Sequence, residues 1–88
     1  MEVYIFEREF CPNNGAYSHK FIQGVFSSFQ SAQNALHSSI QSDIRSFRVY
    51  GYPTIKSEVD TDVETVLYCA DYKEFSVLYV VSRYILRK

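Results

Sequence analysis

The residues with the clearest potential for chemistry are acidic and occupy every second position between Ser57 and Thr65. These carboxylates belong to Glu58, Asp60, Asp62 and Glu64. If the segment is an extended strand, all four point to one face, each about 6.8 Å from the next. Such a row repels itself and gains from a basic partner or a cation. We therefore expect a ridge that contacts a Lys/Arg-rich surface, or a solvated hairpin tip whose charges protect a sheet edge.

A divalent cation bound by Asp60 and Asp62 is a third interpretation of the same segment. The segment lacks the glycine and the ligand spacing of a Ca²⁺-binding loop. His19 and His37 do not form a recognisable ligand set with Cys11 and Cys69. We predict that the chain binds no metal.

A second set of candidate residues alternates in the middle of the chain: Arg48, Tyr50 and Tyr52. Aromatic rings and arginine on an exposed sheet face can stack single-stranded bases. The same residue types also suit a core or a protein interface. The net charge of −1 opposes nucleic-acid binding, because phosphate contacts dominate that affinity. Binding of a nucleic acid or nucleotide through these residues is therefore the alternative functional hypothesis.

No motif for catalysis is present. Neither Cys11 nor Cys69 belongs to a paired or nucleophile motif, and no serine lies in a Gly-x-Ser-x-Gly turn. The chain has 3 glycines and no glycine-rich phosphate loop. We predict a protein that is not an enzyme and needs no cofactor.

Size and composition predict one small folded domain over residues 1–88. The chain is 47% hydrophobic and 17% aromatic, which differs from the composition of disordered segments. It has no apolar run of about 18 residues that could span a membrane. Its first residues do not resemble a secretory signal, and unpaired cysteines are typical of a reducing compartment. We expect a cytoplasmic protein that does not associate with membranes.

Periodicity predicts five strands and one helix. The strands are expected at residues 2–10, 19–26, 47–52, 65–70 and 75–85, with a turn at 11–15. Pro53 suggests a sheet edge or a bulge. The last strand is apolar on both faces, which indicates a well-covered strand or an interface.

The helix should start at Ser27 as its N-cap and end near residues 43–46. Its apolar stripe consists of Phe29, Ala32, Leu36, Ile40 and Ile44. The predicted fold is α+β, with one antiparallel sheet of four to five strands and one amphipathic helix on one face (ββαβββ). We expect the strand order 2-1-3-4-5. Because one helix leaves a sheet face uncovered, we also expect a homodimer or a tight partner complex.

The second strand ends in Gly24-Val25-Phe26-Ser27-Ser28 and leads into a helix with spaced alanines. This arrangement resembles a pattern in small uncharacterised phage and prophage accessory proteins. The preceding strand Val3-Tyr4-Ile5-Phe6 fits the same pattern, and the resemblance covers residues 1–50. It implies a ββαβ-type core and a protein that binds a host macromolecule. The leading hypothesis is a small viral protein in the host cytoplasm that inhibits or modulates a host factor, for example a defence or nucleic-acid enzyme. Its contact to a basic partner protein would be the acidic residues 58–64 together with an apolar sheet face.

Overall fold

The computed structural model of the chain describes residues 1–13 and 17–86 and has an α+β fold with one sheet and one helix. The elements are β1 (Glu2–Pro12), β2 (His19–Phe26), α1 (Phe29–Ser46), β3 (Thr54–Asp60), β4 (Thr65–Asp71) and β5 (Phe75–Ile85). All neighbouring strands are antiparallel, and α1 packs on one face of the sheet. The predicted fold class is confirmed. Residues 14 and 15 of the predicted turn lie outside the described residues.

The strand order is β2-β1-β5-β4-β3, so the predicted order 2-1-3-4-5 is wrong. The chain passes over the sheet through α1 to the far edge, and three hairpin-connected strands then return to β1. β5 pairs with β1 from Ile85 to Phe75. A strand with Val77 and Tyr79 on one face and Leu78 and Val80 on the other is best covered between two neighbours. The predicted strand order instead assumed the shortest connections between consecutive strands.

The third strand begins at Thr54, and the strand predicted at residues 47–52 is wrong. Arg48–Tyr50 is a 3₁₀ helix that directly follows α1. Gly51 then adopts a φ of 86°, in the region that glycine tolerates best. Pro53 comes directly before β3, which is an edge strand exposed along its whole length. Of the two interpretations of this proline, an edge or a bulge, the edge position is observed, whereas the predicted order had placed the third strand in the centre.

Helix α1 buries the stripe that its periodicity predicts. Ala32, Leu36 and Ile40 are buried, and they face β1, β2 and β5. The N-cap is Ser28, one residue later than predicted, and its Oγ accepts from the Ser31 N–H at 3.1 Å. Ser27 lies instead in the bend between β2 and α1, since Phe26 still pairs with Tyr4 of β1.

A polar cluster fixes the end of α1 to the sheet. Oδ2 of Asp43 accepts hydrogen bonds from Nε of Arg8 at 2.8 Å and from the hydroxyl of Tyr79 at 2.6 Å. Burial and the carboxylate of Asp43 raise the pKa of Tyr79. These contacts hold the helix on the side of Tyr4 and Phe6, which we call the helix face. Within residues 1–13 and 17–86, no helix packs on the opposite side, which is called the open face.

Candidate functional site

The acidic residues 58–64 do not form one ridge, because β3 ends at Asp60. Glu58 lies opposite Leu67, and Asp60 lies opposite Thr65. Tyr68 lies opposite Tyr79, which is buried on the helix face. Side chains alternate along a strand, so Leu67 and Glu58 lie on the open face. The prediction of four carboxylates on one strand face is therefore wrong for Asp62 and Glu64, which belong to the following turn.

Asp60 has a structural role in that turn. Its Oδ1 accepts from the backbone N–H groups of Asp62 at 3.0 Å and Val63 at 3.3 Å. An aspartate side chain can replace a backbone carbonyl in this way and stabilise a turn. The extended strand consequently stops where Asp60 turns the chain.

Glu64 lies on the helix face. Its backbone φ is 55°, and its Oε1 accepts from the hydroxyl of Tyr4 at 2.9 Å and from Nη1 of Arg83 at 3.3 Å. The hydrogen bond from Tyr4 to Glu64, together with burial, raises the pKa of Tyr4 to about 12. Glu64 thus ties the β3–β4 turn to β1 and β5 and is separated from Glu58 by the sheet.

Two adjoining depressions lie along β3 and β4. The larger has a volume of ≈ 560 Å³, and the smaller has ≈ 280 Å³. Glu58 and Leu67 line both. Leu67 and Val80 form an apolar floor in the larger one, whereas Glu58 and Asp60 stand at the side of the sheet edge. Lys56 and Cys69 extend the groove along the strands.

The strand registers arrange the open face in rows across the sheet. One row reads Ile22, Glu7, Val80, Leu67, Glu58, and the next reads Lys20, Glu9, Leu78, Cys69, Lys56. In both rows β5 and β4 supply apolar side chains between a glutamate of β1 and a charged residue of β3, and Ile22 adds an apolar side chain at the β2 edge of the first row. The open face therefore has an apolar centre within a charged border.

Carboxylates outnumber lysines on the open face of the described sheet. The acids are Glu7, Glu9, Glu58, Asp60 and Asp71, and the lysines are Lys20 and Lys56. Lys20 forms a salt bridge with Glu7, with 3.4 Å between Nζ and Oε2. The face is thus acidic although the net charge of the whole chain is only −1. Sequence reasoning missed Glu7 and Glu9, although their alternation with the apolar Tyr4 and Phe6 was a sufficient signal.

Neither thiol on the open face is activated as a nucleophile. Burial raises the pKa of Cys11, and the carboxylate of Glu9 adds to this effect. Burial and the neighbouring Asp71 raise the pKa of Cys69, whose Sγ lies 3.5 Å from Oδ1 of Asp71. The same Oδ1 accepts from Oγ of Ser76 at 2.5 Å, and this bond lowers the pKa of Asp71. The cluster therefore favours uncharged thiols beside an ionised carboxylate.

The alternative site at Arg48, Tyr50 and Tyr52 does not form a row of side chains on a strand. Tyr50 ends the 3₁₀ helix. Its ring packs against the ring of Phe75 in a T-shaped arrangement, with 5.1 Å between the ring centroids. Tyr50 also contacts Phe47. Tyr52 and Arg48 are exposed. The predicted sheet platform for bases is therefore absent from this segment.

Within residues 1–13 and 17–86, no group of three or more His, Cys, Asp or Glu side chains is arranged to hold a metal ion. No helix in the same ranges combines the length and apolarity needed to cross a membrane. Comparisons with protein-family models, curated proteins and solved structures found no match.

Proposed function

We propose that this chain is a small non-catalytic interaction protein that binds a partner protein with a basic surface through the open face of its sheet. The observation that supports this most directly is the groove of ≈ 560 Å³ with Leu67 and Val80 in its floor and Glu58 at its side. Helix α1 packs on the other face of the same sheet, so the apolar side chains of the open face are left for a partner.

The apolar centre and the charged border of the open face have different roles in partner binding. Burial of Leu67, Val80 and Leu78 against a partner supplies affinity, since removal of apolar surface from water is favourable. The carboxylates of Glu58 and Glu9 select a partner rich in lysine and arginine and speed its association. This acidic border replaces the four-residue ridge expected from the sequence.

The biological setting is part of the proposal. The resemblance of residues 1–50 to phage and prophage accessory proteins supports a viral protein that acts in the host cytoplasm. There it would inhibit or modulate a host factor, such as a defence or nucleic-acid enzyme, by covering a basic surface of that factor. A homodimer belongs to the same proposal.

The geometry does not favour the nucleic-acid alternative. Tyr50 packs against Phe75 and Phe47, so its ring has contacts within the protein. The carboxylates of the open face would also repel phosphate groups. Nucleic-acid binding remains an outcome that the experiment below can detect.

The test is affinity capture from a bacterial lysate, with and without nuclease, read by mass spectrometry. Leu67→Ser removes apolar surface from the open face, and Glu9→Lys reverses one of its charges. Val49→Ser and Glu74→Lys make matched changes at exposed positions outside the strands of the sheet. We expect the wild type and both controls to capture one protein in stoichiometric amount, whether or not nuclease is added.

The two open-face variants should lose about tenfold or more of this capture, because a buried apolar anchor and a selective charge are removed. Equal capture by all five proteins would contradict a role for the open face. Loss of the captured material on nuclease treatment would support the nucleic-acid alternative instead.

A further inference from the structure

The edge strand β3 offers unpaired backbone groups to another strand. It pairs with β4 on one side, and within the described residues no strand lies on its other side. All seven of its residues, Thr54–Asp60, are exposed. An exposed edge of this kind is a template for an additional strand.

The opposite edge of the sheet is less suited to such pairing. Its strand β2 carries a register shift between Phe6 and Glu7 of the neighbouring β1, where Gln23 has no partner. Bulges of this type twist an edge and interrupt its row of hydrogen-bonding groups. The register of β3 against β4 has no such shift. Of the two edges of the described sheet, β3 is therefore the regular one.

The sequence of β3 is complementary to itself around Ser57. If a second copy lies antiparallel with its Ser57 opposite Ser57, Lys56 faces Glu58 of the other copy on the open face. Ile55 then faces Val59 on the helix face. Both the charged pair and the apolar pair occur twice, because the arrangement has two-fold symmetry. Opposite charges and apolar side chains are favourable cross-strand pairs.

We propose that two copies of this chain pair through β3 in this register and form one continuous ten-stranded sheet. The proposal deepens the proposed function, on which it rests for the expectation of a dimer. Ile55 and Val59, which are 37% and 46% exposed, would contact each other across the new strand pair. The two open-face grooves, each bordered by its own Glu58, would adjoin across the two-fold axis.

The arrangement closes at two copies. Each copy uses the regular edge of its described sheet, and the bulged β2 edges are left at the two ends of the ten-stranded sheet. A closed two-fold pairing is the commonest form of symmetric assembly. We therefore expect dimers rather than growing chains of molecules.

Charge reversal on β3 tests the register. In Lys56→Glu and in Glu58→Lys, both symmetric pairs become like charges. We expect the dissociation constant, measured by sedimentation equilibrium on the purified chain, to rise about tenfold or more in each variant. The double variant Lys56→Glu/Glu58→Lys restores opposite charges and should return to within about twofold of the wild type. Glu74→Lys is the control for net charge and should not change the dissociation constant.

A wild type that stays monomeric at all accessible concentrations would overturn the proposal. Single reversals that dimerise like the wild type, or a double variant that does not recover, would overturn the register.

Cysteine cross-linking tests the same register without a change in charge. Directly opposite residues of antiparallel strands have Cα atoms about 4.5–5.5 Å apart, which suits a disulfide. Ser57→Cys should form an intermolecular disulfide under mild oxidation. Thr54→Cys, which would face Asp60 of the other copy, should not. Equal cross-linking of both variants would contradict the register.

These outcomes can be separated from failure of the proposed function. The dimer is measured on the purified chain alone, whereas partner capture is lost through Leu67 and Glu9, neither of which lies on β3. A dimer without an open-face partner would leave the β3 inference standing and remove partner binding from the proposed function. A monomer that still captures its partner through the open face would overturn the β3 inference and the expected homodimer, and would leave partner binding standing.

Discussion

Tyr79 of the sheet donates a hydrogen bond of 2.6 Å to Asp43 of helix α1. Tyr79 is fully buried, and the bond goes to a charged acceptor that also binds Arg8. Hydrogen bonds to charged groups contribute about 1.5–3 kcal/mol to stability. We expect Tyr79→Phe to lower the free energy of unfolding, measured by urea denaturation, by this amount.

Tyr72 provides a matched control for that prediction. Its hydroxyl is buried and has no hydrogen-bond partner in the part of the chain that the structure describes. Removal of an unsatisfied buried polar group is neutral or stabilising. Tyr72→Phe should therefore leave the free energy of unfolding unchanged or raise it. Equal destabilisation by both variants would show that the Tyr79 effect comes from the lost packing of a buried hydroxyl group and not from the bond to Asp43.

The contact between Tyr4 and Glu64 predicts a loss of stability at alkaline pH. The pKa of Tyr4 is raised to about 12 in the folded protein, whereas an unfolded tyrosine has a pKa of about 10. The unfolded state therefore releases its proton at lower pH than the folded state. The stability contributed by Tyr4 is complete below about pH 10 and is lost as the pH rises through about 12.

Urea denaturation in a series of alkaline buffers measures this effect. Tyr4→Phe should reduce the decline of the free energy of unfolding with pH, because one of the shifted groups is gone. Tyr79, whose pKa is also raised, should account for part of the decline that remains. An identical pH dependence in Tyr4→Phe and the wild type would contradict the assigned contact.

Asp71 predicts the opposite behaviour in acid. The hydrogen bond from Ser76 lowers its pKa, so its contribution to stability is present above the unfolded pKa and is lost as the pH falls through the folded pKa. Ser76→Ala should raise the pKa of Asp71, measured by NMR titration of the carboxyl carbon. Ser82→Ala changes the same residue type on the same strand face and should leave that pKa where it is. A pKa of Asp71 that does not respond to Ser76→Ala would contradict the contact.

The acidic residues of the β3–β4 hairpin should separate into structural and binding roles. Asp60→Ala removes the acceptor of two backbone N–H groups and should cost about 0.5–1.5 kcal/mol for each bond. Asp60→Asn keeps an acceptor oxygen and should retain most of this stability in thermal or urea denaturation. Asp62→Ala removes a side chain from the turn itself and serves as the control. An equal loss in Asp60→Ala and Asp62→Ala would contradict the turn assignment.

Local features of this fold could be predicted from the sequence. The stripe of Ala32, Leu36 and Ile40 depends only on helical spacing, and the N-cap was placed within one residue. Pro53 indicated a sheet edge or a bulge, and β3 is an edge strand, although the predicted order 2-1-3-4-5 placed the third strand in the centre. Each of these depends on a few neighbouring residues.

Features that depend on contacts distant in sequence were missed. Arg48, Tyr50 and Tyr52 have the alternation of a strand, but the packing of Phe47 and Tyr50 on Phe75 accompanies a 3₁₀ helix there. Tertiary contacts of this kind commonly override local propensity.

The acidic residues show the same limit at the candidate site. The alternation of acidic residues continues beyond Asp60, but the strand ends there. The strand ends because the side chain of Asp60 accepts a hydrogen bond from the backbone N–H of Asp62 and turns the chain. The acidic border of the open face arises when the strand registers bring Glu7 and Glu9 beside β5 and its neighbour β4. Those registers could not be derived from one segment at a time.

The most direct test of the central claim is a footprint of the captured partner on this protein. Methyl-labelled protein is titrated with the purified partner, and methyl NMR signals are followed. We expect changes at Leu67, Leu78 and Val80 of the open face, while Val49, which is 82% exposed beyond the end of α1, stays unchanged. Changes at Val49 with an unaffected open face would contradict the account.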